Sequence, residues 1–342
     1  NQTPQDTWTR VIADTFVSGE AETNTPYSFK RSAFSAGADI DLFETLRASG
    51  GFDRITMDRD FQEVAEQTED TGWGQLRWRP DDVIQLNIKG GVSERDIDHY
   101  DETFATGVGQ NPLMRKYNLA YRYRRFGEMT VSMALPESPL SVTLTGLFAD
   151  DDYAQSVLGL TSGDDFGLAA DLGWAVSETA SLYVSGGFES LESEQFGSES
   201  LAGADWRAEN SDDFYTAGAG FHMRQIAGKF DLQLDYTRSE GTSEITLDSA
   251  STGLSQFPDL ESTLDYLRLR LEYDRSEKVQ WTLDVRYQRF LAEDWALEGV
   301  GPATIPVILT MGANPYDEEA FILGLGFRYR LGAVKTESES VK

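Results

Sequence analysis

The groups able to do chemistry are few and scattered. Two histidines, His99 and His222, serve 342 residues, and there is no cysteine. His99 stands near Asp96 and Asp98 in a polar stretch. A metal or acid–base role competes there with that of a solvated loop residue, and the residues favour the second. His222 shares parity with Phe214, Thr216, Gly218 and Gly220, which reads as a wall position in a strand. Paired carboxylates recur at Asp81-Asp82, Asp150-Asp151-Asp152, Asp164-Asp165, Asp212-Asp213 and Glu318-Glu319. Oxygen-rich loops of this kind can take Ca²⁺, with Asp150, Asp151 and Asp152 the candidates, yet none has EF-hand spacing and solvation is the plainer reading. Tyr121, Arg122, Tyr123, Arg124 and Arg125 form a basic-aromatic run. It fits contact with a partner protein or anionic lipid through Arg122, Arg124 and Arg125, or equally a strand with a charged lumen face. A G-x-S-x-G nucleophile elbow is absent, and Gly324-Leu325-Gly326-Phe327 lacks the helix that a phosphate loop needs. These residues give no catalytic, metal or cofactor site. The lack of cysteine removes disulfides, Cys-ligated zinc, iron–sulfur centres and covalent c-type haem from this chain.

The charge balance narrows the partners. Fifty-eight acidic residues against 29 basic give a formal net charge of −29. No basic face offers itself to nucleic acid. Solvated loops explain the acidity most simply. Divalent-cation binding and repulsion of anions from a pore are the alternatives.

The elements that would position these groups are strands. In 229–238, Phe230, Leu232, Leu234 and Tyr236 share one parity while Asp231, Gln233 and Asp235 share the other. Leu267, Leu269, Leu271 and Tyr273 likewise oppose Arg268, Arg270, Glu272 and Asp274. Val279, Trp281, Leu283, Val285 and Tyr287 do the same, as do Phe321, Leu323, Leu325, Phe327 and Tyr329. Period-two alternation predicts strands, and a 3.6-residue period would mix the two faces. A soluble sandwich also alternates. Here, however, the polar face carries full charges of both signs, and apolar runs end in aromatics such as Trp78, Trp174, Phe188 and Tyr329. Both details belong to a membrane barrel, with aromatic girdles at the two interfaces. Mean hydropathy is only −0.41 because every second residue faces away from lipid. No run reaches the ~20 apolar residues of a membrane helix.

Connections sharpen this to an up-and-down barrel. Short turns near 42–46, 79–82, 136–139, 177–180, 224–228 and 275–278 alternate with long polar connections near 18–26, 59–69, 94–124, 150–164, 190–212, 239–262 and 291–318. Outer-membrane barrels have short periplasmic turns and long extracellular loops. The pattern predicts an all-β, antiparallel transmembrane barrel over 1–331, with about fourteen strands in this chain. The first strand is expected near 7–17, with both ends then periplasmic. A polar tail follows at 332–342. The chain opens Asn1-Gln2-Thr3-Pro4 without a leader, so it reads as mature or as cut from something longer.

Several segments resemble the MtrB/PioB family, the outer-membrane barrels of decahaem-cytochrome electron conduits. They are PYSFKR (26–31), GGFDRITMDRD (50–60), WGQLRWRPDD (73–82), NPLMRKYNLAYR (111–122), DDDYAQSVLGLT (150–161), and the run from DWALEGV (294–300) to NPYDEEAFILGLGFRYRL (314–331). The resemblance implies a barrel that sheathes a periplasmic multihaem (decahaem) cytochrome in its lumen for electron transfer across the bacterial outer membrane. Lipid and lipopolysaccharide surround such a barrel, and an extracellular multihaem cytochrome often caps it. It implies no cofactor in this chain, since haem c belongs to the partner, and no catalytic residue. A cation-preferring porin without a cytochrome is the alternative. Family barrels are about twice this length and the chain resembles their carboxy-terminal half; some members also carry a C-x-x-C motif that is missing here. The wall is then half of a larger barrel, or a shortened one that closes on fourteen strands.

Overall fold

The structure is a computed structural model. It describes residues 9–11, 21–23, 28–102, 111–135, 138–200, 202–249, 257–295 and 317–331. The expected tail at 332–342 lies outside the described residues.

Alternation becomes one antiparallel sheet of thirteen strands, each paired with its sequence neighbours. The strands are β3 (Ser28–Phe43), β4 (Leu46–Asp60), β5 (Glu66–Trp78), β6 (Ile84–Ile97), β7 (Arg122–Ala134), β8 (Leu140–Asp152), β9 (Gly159–Ala175), β10 (Ala180–Gly197), β11 (Trp206–Ile226), β12 (Phe230–Ser249), β13 (Leu260–Ser276), β14 (Val279–Glu293) and β15 (Asp317–Tyr329). Two three-residue strands, β1 (Thr9–Val11) and β2 (Ala21–Thr23), pair only with each other. Of the strand expected near 7–17, residues 9–11 are described, and as β1 they pair with β2 and not with the sheet. Among the described residues thirteen strands, not fourteen, make the sheet, an odd count in place of the expected even one. β3 and β15 run in the same direction, each with one edge unpaired in the sheet. In hydrocarbon such edges need partners. Pairing them with each other would be parallel, whereas an all-antiparallel closure takes an odd number of further strands between them.

Five short turns fall where the sequence placed them, at 44–45, 79–83, 176–179, 227–229 and 277–278, while 136–137 of the turn expected at 136–139 lie outside the described residues. At the last turn of β11, Gly228 adopts φ +70°, a left-handed conformation that glycine reaches without steric cost. The long connections differ from expectation. Among the described residues most of 59–69, 190–212 and 239–262 is strand, with β4 ending at Asp60, β5 starting at Glu66, β10 ending at Gly197, β11 starting at Trp206, β12 ending at Ser249 and β13 starting at Leu260. β11 runs 21 residues, about 70 Å at roughly 3.3 Å per residue, about twice what a tilted membrane crossing requires. Beyond the bilayer the ladder continues while the outer parity ceases to be apolar, so a search for a lipid-facing strand pattern sees a loop.

Register aligns the apolar parity into a band. Leu232, Leu271 and Leu283 stand in one row with Leu325, and Leu234, Leu269 and Val285 in the next with Leu323. Near the short turns Phe230, Tyr273, Trp281 and Phe327 form an aromatic row, with Phe230 and Tyr273 stacked at 4.7 Å and Trp281 tilted on Phe327 at 4.8 Å. At the other edge Phe148 pairs with Phe166, and Phe188 meets Tyr215 at 5.0 Å. One position above that girdle, a belt of charges begins on the same face: Arg54 opposite Asp70, Arg125 opposite Asp150, and Arg238, Asp265 and Arg289 in a row. Apolar side chains, two aromatic girdles and a charged belt in this order mark the lipid-facing surface. Leu269 lies in the middle of the band. Leu269→Arg should lower folding stability in lipid vesicles by about 2–4 kcal/mol in a urea titration, and an unchanged midpoint would mean that this face does not meet lipid.

Candidate functional site

With one face committed to lipid, the other faces the lumen. At the level of the apolar band several of its charges are paired. Arg268 Nη2 lies 2.6 Å from Asp284 Oδ2, and Arg286 Nε donates to Asp284 Oδ1 at 2.5 Å. Arg270 pairs with Glu272 on the same strand. On the opposite flank Arg47 Nε meets Asp41 Oδ1 at 2.6 Å, Trp73 Nε1 donates to Asp53 Oδ2 at 2.8 Å, and Lys89 lies over the Trp73 ring at 5.4 Å. These partners sit on adjacent strands or two residues apart on one strand, so strand pairing itself brings them together.

Toward the long-loop rim the polar face carries a denser cluster. Arg122 Nη2 is 2.7 Å from Glu69 Oε1, and Arg95 Nε is 3.4 Å from Glu69 Oε2. Arg124 grips Asp151 through Nε and Nη2 at 2.6 and 2.7 Å. Ser93 Oγ adds a bond to Glu69 Oε1 at 2.9 Å.

Above this cluster the connection between β6 and β7 folds onto the polar face. Arg95 Nη1 donates to Tyr117 O at 3.0 Å, and Ile97, on the same parity, packs against Val64, Tyr100 and Leu119. Lys116 pairs with buried Glu63, and the Lys116 amide donates to Tyr100 Oη. Arg115 stacks on the Tyr100 ring at 4.5 Å. Its amide donates to Leu158 O at 2.9 Å, and Met114 bridges Leu158. The approach is close enough that Gly159, at φ +103°, could carry no Cβ: one would lie 2.3 Å from Arg115 O. Asn111 Nδ2 reaches Ala202 O at 2.9 Å, in the connection between β10 and β11. The result is a platform spanning from β5 to β10. Val64, Leu119 and Leu158, at most 1% exposed, are the most deeply buried large side chains among the described residues.

The sequence candidates separate on this frame. Asp150 and Asp151 point to opposite faces. Asp150 pairs with Arg125 at 2.8 Å on the outer side, and Asp151 with Arg124 and Arg122 on the polar side. Asp152 shares the outer parity opposite Tyr123. The three do not converge, and among the described residues no group of three or more His, Asp or Glu side chains is placed to hold a metal. Arg122 and Arg124 belong to the polar cluster, Arg125 to the outer belt. His99 is exposed beside the platform, and His222 stands in the wall between Ser181 and Gln233. Sequence reasoning missed the platform core of Val64, Tyr100, Leu119 and Leu158. A signal was present: NPLMRKYNLAYR and DDDYAQSVLGLT, far apart in the chain, are the two segments that pack together.

Glu69 is the carboxylate shared by Arg95 and Arg122, whose side chains are only 11 and 12% exposed, so Glu69→Gln should cost about 3 kcal/mol and expose the 111–121 segment to protease. The tie at Ala202 depends on pH. The amide of Glu199, then the hydroxyl and amide of Ser200 and the hydroxyl of Ser198, hold the Asp205 carboxyl below its usual range. A depressed carboxylate stabilises above its ordinary pKa, and that contribution fades as pH falls through the lowered value. Hydrogen exchange at 199–202 should therefore rise in acid, and Asp205→Asn should show the acid level at neutral pH.

The sequence profile of the outer membrane beta-barrel porins MtrB/PioB matches residues 1–331. The chain is 27% identical over 332 residues to the outer membrane protein MtrB of Shewanella baltica, covering 97% of this chain and 47% of that protein, so it spans about half its relative's length. Two solved outer-membrane structures share partial likeness. The unliganded ferric citrate transporter FecA has 12% identity and a TM-score of 0.46, covering 88% of this chain and 49% of that one. OmpT of Vibrio cholerae has 11% identity and a TM-score of 0.36, covering 89% and 97%. The lipid-facing band, the polar wall and the match across nearly the whole chain agree: this protein belongs to the MtrB/PioB family of outer-membrane β-barrels.

Proposed function

We propose that the wall sheathes a periplasmic multihaem c-type cytochrome and holds it for electron transfer across the outer membrane. The observation that carries this reading is the pairing of charges on the lumen face. Arg268, Asp284 and Arg286, or Arg47 and Asp41, compensate one another across the ladder. A cation-selective pore works through uncompensated carboxylates that create a field of one sign. Paired charges of both signs instead suit the surface of a folded protein guest. Such a guest is held by many polar contacts and bridging waters. Lipid on one side and a protein-filled lumen on the other would insulate the electron path. Haem c is attached through cysteine, and this chain has none, so the haems would all reside in the partner. The extracellular rim, with its platform, faces the side where a second multihaem cytochrome would dock.

The alternative is a porin whose cation preference follows from the net charge of −29. One preparation separates the two. The full protein, purified in mild detergent from cells expressing its neighbouring genes, should carry a haem-staining partner. In planar bilayers it should conduct poorly until that partner is stripped. Haem-free barrel with open-channel conductance from the outset would overturn the sheath.

A further inference from the structure

Above the charged belt the wall inverts its polarity. Within the bilayer the outer parity is apolar and the inner parity charged. On the projecting parts of β11–β14, the outward positions carry Arg207, Glu209, Glu240, Glu244 and Asp248. The inward positions carry Phe214, Ile245, Leu247, Leu260, Leu264 and Phe290, with Asp212 among them, and Glu261, Glu293 and Asp294 add carboxylates around the cavity described next. A cavity of about 300 Å³ opens on this inward face between Phe214, Leu260 and Phe290. Gly241 forms its floor: a Cβ there would lie 2.9 Å from both the Phe214 ring and Ser262 Oγ. The apolar surface continues upward through Phe257, whose amide donates to Ile245 O at 3.0 Å and whose ring stacks on Trp295 at 4.8 Å.

Three facts limit what covers this face. It lies above the lipid band, so acyl chains do not reach it. It points inward, so a second copy beside it in the membrane meets only the charged side. Where the chain covers its own inner face, under the platform, Val64, Leu119 and Leu158 are sealed to 1% or less, whereas Phe214 here remains 38% exposed. We propose that this face is the seat of the lumen guest: a protein that inserts an aromatic or aliphatic side chain into the cavity and surrounds it with surface that is not acidic. An acidic guest surface would be repelled there, because Glu261, Glu293 and Asp294 line the cavity beside its apolar residues. The inference rests on the sheath reading and adds where the guest is gripped and by what chemistry.

The test is photocrosslinking of the full protein in its own cells. Phe290→p-benzoylphenylalanine should give a haem-staining adduct, and Glu244→p-benzoylphenylalanine, on the outward parity, should not. The double variant Leu260→Asp, Phe290→Asp should retain at least tenfold less cytochrome after detergent purification, while the heat-modifiable gel mobility of the folded barrel is unchanged. Crosslinks confined to the chain itself, or equal adducts from both positions, overturn the seat. So does undiminished cytochrome on the folded double variant when the wild type also carries it. A wild type with no cytochrome under the same conditions overturns the sheath reading and the seat with it.

Discussion

In hydrocarbon a backbone amide has no water to bond with, and each unsatisfied group costs several kcal/mol. Every feature of this wall follows from that constraint. It demands a ladder in which each strand satisfies its neighbours, and the chain meets it with thirteen consecutive antiparallel strands. The same constraint applies to the outer edges of β3 and β15, which are complete only when paired. The ladder also sets the side-chain arithmetic. Alternate residues leave opposite faces, so one sequence must serve lipid and lumen together.

Three solvents then shape the wall in succession. Lipid selects Leu, Val and Phe on the outer parity, with aromatics at both interfaces. The lumen selects charges, and the register pairs them. External water reverses the outer choice: past the girdle the outer face turns to Arg54, Asp70, Arg125 and Asp150. The ladder continues there although the lipid that required it has ended, because strand pairing carries on once it is in register. The wall has little core in the ordinary sense. Its deepest burial occurs where the 111–121 segment closes over Val64 and Leu158 at the rim, outside the membrane.

This distribution bears on function. Where Arg47 meets Asp41 and Asp284 meets Arg268 and Arg286, the wall's field on small ions is weakened, and its stiffness comes from the ladder rather than from a filled interior. It can therefore leave the interior to a guest. The apolar inward face of β11–β14 is the exception to the polar wall, and it occurs only where the strands have left the membrane.

Faces, turn positions and the membrane band were legible in the residues, because side-chain parity is a local property of an extended chain. Leu267, Leu269 and Leu271 share a face whatever their neighbours do. The candidate site was only partly legible. The run from Arg122 to Arg125 was compatible with a partner contact or a lumen face, and alternation alone splits it between two sides. Which carboxylate each arginine meets depended on the register between β7 and β8, a contact across 27 residues for Arg124 and Asp151. The extent of β10–β12 was hidden too, since beyond the lipid the outer parity is no longer apolar and the lipid-facing pattern ends. Whether the first segment joins the wall was likewise decided by hydrogen-bonding partners rather than by its own pattern. The platform needed tertiary structure most of all. Residues 111–120 form almost no regular element of their own, and their position comes from Glu63, Arg95, Leu158 and Ala202, which only the assembled sheet brings within reach.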